Sequence, residues 1–257
     1  MNIYDLDLYF RKLIPISDFD NYDASQNGLQ VACSKKPIKK VAFAVDACLD
    51  NFQKAAQLNA DVLFVHHGLF WGKSLTITGQ HYVRIKELIQ NDIALYAVHL
   101  PLDADANYGN NAGLARNLEL KNIQYFRNYA GIQIGVKGEI PQDYKDGITI
   151  EELISKLFPG GEKAQTILPF GKKLIKTVGI VSGEGSRSLS DAIAENLDCF
   201  ITGEIKHKNY HEALEHKINL IAGGHYQTET VGVKLISEKL YEDTKIETVF
   251  IHTPTNL

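Results

Sequence analysis

The sequence predicts an α/β protein made of two related halves. Short apolar runs alternate with helical patterns along most of the chain, and the order strand–helix–strand–helix–strand comes round twice. No long Pro/Gly/Ser linker separates the two copies, so they are expected to pack closely. The halves are placed at 1–125 and 126–257.

In the first copy, "KVAFAVD" (40–46) reads as a strand and "LDNFQKAAQLN" (49–59) as a helix. "DVLFVHH" (61–67) is the next strand, "YVRIKELIQND" (82–92) a helix and "IALYAVH" (93–99) the third strand. Between the copies, "GIQIGVKGEI" (131–140) reads as a strand. "TIEELISKLFP" (149–159) reads as a helix capped by Thr149. The second copy runs through "IKTVGIVSG" (175–183), "SLSDAIAENL" (188–197), "CFITGEI" (199–205), "KNYHEALEHK" (208–217) and "INLIAGGH" (218–225). "MNIYDLDLYFRKL" reads as an amphipathic helix rather than a signal peptide.

Composition bounds the function. The 257 residues are 44% hydrophobic and 23% charged, enough for one large core or two modest ones. A net charge of −4 predicts no duplex nucleic acid partner and no anionic membrane partner. No apolar run reaches the roughly 18 residues of a membrane span. The lysines of "CSKKPIKK" (33–40) read as a solvated turn between strands. Cys33, Cys48 and Cys199 are odd in number and scattered, which points to a reducing cytoplasm rather than a disulfide framework.

Parallel α/β sheets carry their functional groups where strands end and loops leave. In the first copy the second strand ends in His66-His67, and in the second copy in Thr202-Gly203-Glu204. The third strands end in His99 and His225. Four residues beyond each stands an acid, Asp103 and Glu229 respectively. Adjacent histidines cannot share a face while the chain is extended. At a strand exit into Gly68 each could reach a different ion. Mixed His/Asp/Glu donors suit Zn, Fe, Mn, Co or Ni.

Each piece also has a plainer reading. The His pair could be polar caps on a strand, Asp103 could cap a turn, and Glu229 could favour a helix dipole. Three such groups at corresponding strand ends, in two copies, argue for metal. His207 and His211, spaced i, i+4 on a helix, read first as a solvated face. "SGEGSRS" (182–188) leaves a strand and opens a helix, a setting that can hold phosphate, with Arg187 and Lys206 as counter-charges. It matches no full phosphate-binding fingerprint.

The segments "QNGLQV", "VAFAVDACLDNFQKAAQLNADVLFVHHGLFWG", "IALYAVHLPLDADANYGNN", "ITGEI" and "GGHYQTETVGVKLISEKL" together resemble one family. This is the NIF-three-like, YbgI-type family of dinuclear-metal-centre proteins, whose members carry the name GTP cyclohydrolase 1 type 2 homologue. The resemblance covers nearly the whole chain. It implies two interlocked α/β domains, in the short form without an inserted domain, and a toroidal homohexamer. It implies that His66, His67, Asp103, His225 and Glu229 hold two divalent ions, with Glu229 bridging. His99 resembles a family histidine beside the site, an acid/base or a supporting group. Asp105 departs from the histidine expected there.

The chemistry implied is metal-dependent hydrolysis of a nucleotide. Hydroxide generated at the metals would open the guanine imidazole ring at C8 and release formate, with His99 moving the proton. The alternative is a metal-handling or delivery protein, or a non-enzymatic oligomeric scaffold. A protein–protein adaptor is suggested only by the name of some eukaryotic relatives.

Overall fold

Asn2 starts the first helix. Its side-chain oxygen accepts the N–H groups of Tyr4 and Asp5, and the Asp5 carboxylate accepts the Asn2 N–H in return. This reciprocal pair satisfies donors that a helix start leaves without intrahelical partners. The computed structural model describes residues 1–34, 36–129 and 131–257.

The chain runs α1 (Ile3–Leu13), β1 (Gly28–Val31), β2 (Lys40–Asp46), α2 (Leu49–Gln57), β3 (Val62–His67), α3 (Gly79–Gln90) and β4 (Ala94–Ala97). It continues through α4 (Leu100–Ala104), α5 (Asn110–Asn117), β5 (Lys121–Tyr129), β6 (Ile132–Glu139), α6 (Ile150–Leu157), β7 (Thr166–Pro169) and β8 (Thr177–Val181). Last come α7 (Leu189–Ala194), β9 (Cys199–Thr202), α8 (His207–His216), β10 (Asn219–Ala222), α9 (His225–Thr244) and β11 (Glu247–Phe250). Every strand and helix expected in the two copies is present, and Thr149 caps α6 through a box with Glu152. His225 differs from expectation: it opens α9 rather than closing a strand. Gly224, at φ +99°, breaks the extended chain just before it.

Two compact units result. One comprises Met1–Leu102 with Gly232–Thr253, the other Asp103–Val231 with Pro254–Leu257. A cut between 125 and 126 falls inside β5, so it would split a strand of the second unit.

The first unit holds a five-stranded sheet in the order β1-β4-β3-β2-β11. Strands β2, β3 and β4 are parallel, and their near-continuous burial explains why they read as unbroken apolar runs. One core cluster gathers Ala42, Phe52, Leu63, Val65, Leu88 and Leu95. Phe43, Phe64 and Tyr96 form an aromatic group with Phe10 of α1, whose ring centroid lies 4.8 Å from that of Tyr96.

The second unit holds a six-stranded sheet, β5-β6-β8-β9-β10-β7. Its central β8, β9 and β10 repeat the parallel β2, β3 and β4, and β7 lies antiparallel on β10 as β1 lies on β4. The correspondence reaches single residues. Asp61, just before β3, accepts the backbone N–H groups of Lys39 and Lys40 and pairs with Lys36. Asp198, just before β9, accepts those of Lys176 and Thr177 and pairs with Lys172. Each aspartate thereby ties the start of one strand to the start of its parallel neighbour. The basic run is accordingly not simply solvated: Lys36 bridges Asp61 and Asp92, and Lys40 pairs with Glu247. Lys35 lies outside the described residues.

Burial alone would raise the Asp198 carboxyl, but Lys172 and the two backbone donors overcome it and hold the group below its ordinary value. A folded pKa below the unfolded one stabilises the fold above the unfolded value, and that contribution is lost as pH falls through the folded one. Acid melts should therefore show stability falling away below about pH 4. Asp198→Asn is expected to cost about 1–3 kcal/mol at neutral pH and to flatten that acid limb, as read by thermal unfolding on either side of it.

Candidate metal centre

The parallel register brings the site residues of the first unit to one end of its sheet. Val65 sits opposite Ala97 and His67 opposite Asp46. Neighbouring positions on β3 thus reach to opposite neighbours. The fully buried His66 bonds through Nδ1 to the Val98 carbonyl at 2.9 Å. His67 bonds through Nδ1 to Asp46 Oδ1 at 2.8 Å. His99, just past β4, bonds through Nδ1 to Asp23 Oδ1 at 2.9 Å.

Carbonyl and carboxylate oxygens only accept, so each Nδ1 donates and each neutral ring carries its lone pair on Nε2. One nitrogen of each of the three rings lies within 4.8 Å of the others. Gly68 follows because there is no room for a side chain: an added Cβ would lie 2.3 Å from the Gln30 amide and 2.6 Å from Ala97 Cβ. Trp71, pinned by its Nε1–H to the Gly68 carbonyl, meets the edge of His99 with centroids 4.8 Å apart.

In the second unit, Asp103 on α4 is buried, and its Oδ1 accepts from Asn110 Nδ2 at 2.9 Å and Ser182 Oγ at 3.0 Å. His225 and Glu229 are one turn apart on α9, with His225 Nε2 3.2 Å from Glu229 Oε2. The other nitrogen of His225, Nδ1, is held by Glu204. Burial works against a charged His225, but the bonds and charges of Glu229 and Glu204 outweigh it and bring the imidazole up to about 9. A cation arriving there must displace a proton. Carboxylate oxygens of Asp103 and Glu229 lie within 4.8 Å of each other. Gly183, at φ +59°, lets Glu229 come close: a Cβ there would lie 2.1 Å from Glu229 Oε1 and 3.3 Å from His225 Nε2.

The expected residues thus fall into two groups, His66, His67 and His99 in one unit and Asp103, His225 and Glu229 in the other. Their donor chemistry fits a borderline divalent ion: imidazole nitrogens set in the ligating tautomer, and two buried carboxylates close enough that a cation would relieve their mutual repulsion. His207 and His211 belong to no such group among the described residues. Lys206 is paired with Glu184. Asp105 caps its own turn, accepting the N–H groups of Asn107 and Tyr108.

The sequence reading did not single out Asp23, Asp46, Asn110 or Ser182, and it took Glu204 only as a strand end. Asp46 had a signal, an acid closing the strand beside "HH". Asp23 had none.

A two-sheet α/β protein with histidine and carboxylate groups capable of holding metal is the class that fold and site define. The model of the Duf34/NIF3 (NGG1p interacting factor 3) family matches residues 1–256, and the chain belongs to that family. It is 44% identical, over the full length of both chains, to the GTP cyclohydrolase 1 type 2 homolog of Treponema pallidum. Among solved structures, TTHA1606 from Thermus thermophilus matches with a TM-score of 0.88 at 38% identity, covering 100% of both chains. The protein ybgI matches with a TM-score of 0.89 at 31% identity over the same span.

Replacing Asp46 by alanine should weaken binding of an added divalent ion by about 10–100-fold, measured by calorimetric titration, with the circular dichroism spectrum unchanged. The same change at Glu204 should do likewise.

Proposed function

We propose that His66, His67, Asp103, His225 and Glu229 hold two divalent ions, with Glu229 bridging, and that the protein is a hydrolase acting on a nucleotide. One observation supports this above the others. His66, His67 and His99 each have Nδ1 bonded to an oxygen and so are set to ligate or accept a proton through Nε2, and His225, held at Nδ1 by Glu204, can ligate through Nε2 once the proton there is displaced. The names of the relatives add the substrate, GTP. The unpaired state of Cys33, Cys48 and Cys199 supports a cytoplasmic setting.

When bound, the ions supply Lewis acidity, making water a nucleophile at neutral pH and steadying the oxygens of reactant and product. The chain's own residues do the rest. His99 accepts one proton of a water whose oxygen bonds to C8 of guanine as the C8=N7 π pair moves onto N7, and it returns that proton to N7. The hydroxyl proton then passes to N9 as the C8–N9 bond breaks and the C8 carbonyl forms. A second water then releases formate. Trp71 closes one side of the His67 and His99 rings with an apolar wall and limits the water that competes for those nitrogens.

The test is incubation of GTP with metal-reconstituted protein, products read by mass spectrometry. Formate and a ring-opened nucleotide are expected from the wild type and only background from Glu229→Ala. Intact GTP under each of Zn, Fe, Mn, Co and Ni would remove GTP from the proposal. Full turnover by a metal-depleted Glu229→Ala variant would remove the metal centre from it.

A further inference from the structure

Asp23 lies in the segment between α1 and β1, more than seventy residues from His99 in sequence. Its side chain is 2% exposed and takes four donors. Oδ1 accepts the Ser25 N–H and His99 Nδ1–H, each at 2.9 Å. Oδ2 accepts Asn27 Nδ2 at 2.9 Å and the Leu100 N–H, at the start of α4, at 3.0 Å. Asn27 in turn accepts the backbone N–H of His99 at 2.7 Å.

The same segment grips the chain beyond the histidine pair. Gln26 N–H bonds to the Phe70 carbonyl, Gln30 Oε1 accepts the Leu69 N–H, and Ser25 forms a bridge with Trp71. Residues 23–30 are therefore a clasp that holds both the His99 turn and the Trp71 turn. The Asp23, Ser25 and Asn27 contacts are made ahead of the sheet ladder, since β1 pairs with β4 from Gly28 onward.

We infer that Asp23 is a positioning residue for His99: by accepting Nδ1–H it holds the neutral ring in the one tautomer that can take a proton on Nε2. The inference rests on the proton-transfer role given to His99 under the proposed function. A water O–H bond breaks as its oxygen bonds to C8, the π pair of the C8=N7 bond moves onto N7, the proton goes to Nε2, and Nδ1–H stays in place. The imidazolium so formed faces the Asp23 carboxylate, which stabilises it without itself being protonated.

Asp23→Asn separates this from a merely structural role, since the amide NH2 can donate to Nδ1 and reverse the tautomer. The readout is a long-range proton–nitrogen NMR spectrum of 15N-histidine-labelled protein, metal-free and zinc-loaded, at about pH 8, where an ordinary imidazole is neutral. His99 is assigned by its loss in His99→Gln. The wild type is expected to show Nδ1 protonated and Asp23→Asn to show Nε2 protonated, with zinc stoichiometry unchanged. Nucleotide turnover should then fall by about 10³–10⁴-fold.

A His99 that keeps Nδ1–H in Asp23→Asn overturns the inference. So does a fall in zinc stoichiometry, which would make Asp23 a support of the ligands. If Asp23→Asn does not fold, Asp23→Glu decides: it keeps the acceptor and should keep the wild-type tautomer, and a reversed one overturns the inference. Absence of nucleotide turnover in the wild type would sink the proposed function, while the tautomer result would still decide what Asp23 does to His99.

Discussion

The site depends on hydrogen bonds that tie the Nδ1 atoms of its imidazoles to oxygens on neighbouring segments. For His66 that oxygen is a main-chain carbonyl, Val98 O, one residue past the end of β4. The bond exists because β3 and β4 run parallel with Val65 opposite Ala97, so residues 66 and 98 come next to each other as the ladder ends. His67 and Asp46 meet by the same rule on the other side of β3. A slip of one residue would send each side chain of β3 to the opposite face. The register is carried into the site by Val62 to Val65, the buried stretch that runs directly into the histidine pair. Strand register thus decides which ring nitrogen of His66 and of His67 is tied to an oxygen.

The same constraint acts at the opposite ends of the strands. Asp61 and Asp198 each bind the first backbone N–H groups of the preceding parallel strand, and the helix before each aspartate is closed by an asparagine at φ +53°, Asn59 and Asn196. Asparagine tolerates the left-handed region better than most residues, because its short polar side chain can bond locally. Each sheet is therefore pinned at the start of its strands by charge-assisted bonds and left to carry chemistry where the strands end. That polarity is the general habit of parallel sheets, met here twice in one chain.

What could be read in the sequence follows from this physics. Central parallel strands are buried on both faces and spell themselves as apolar runs, so β2, β3, β4, β8, β9 and β10 were legible; the seventh expected strand, β6, is antiparallel and partly buried. Edge strands are short or half-exposed and carry no such signature. β1, β7 and β11 have four residues each, and β5, "KNIQYFRNY", alternates neither by charge nor by polarity. The histidines stood out because ionisable groups directly after an apolar run are rarely idle, and the two acids because each follows one of those histidines by four residues. Asp23 could not stand out. Its meaning comes from a loop that folds back across the sheet, and no local pattern encodes that return. Asp105, by contrast, has its carboxylate engaged in its own turn.

The two copies share a scaffold but do not use the same positions for the same task. Val62 and Cys199 begin the second strands, and Ala94 and Asn219 sit opposite them on the third. Counting along from those pairs, Glu204 takes the place of His67, Gly183 the place of Asp46, and Gly224 the place of His99. His225 matches Leu100, so the resemblance of "H" and "H" at the third strand ends is displaced by one residue. The consequence is an exchange of roles. In the first copy a strand-end acid, Asp46, supports a strand-end imidazole. In the second, the acid occupies the imidazole's position, and the imidazole it supports has moved onto the following helix. Glycine at the remaining position then becomes a requirement, since any side chain at 183 would collide with Glu229. The two frames share one topology and differ at four strand-end positions, Asp46 against Gly183, His66 against Gly203, His67 against Glu204 and His99 against Gly224, so three strand-end imidazoles of the first have no imidazole counterpart at the same places in the second.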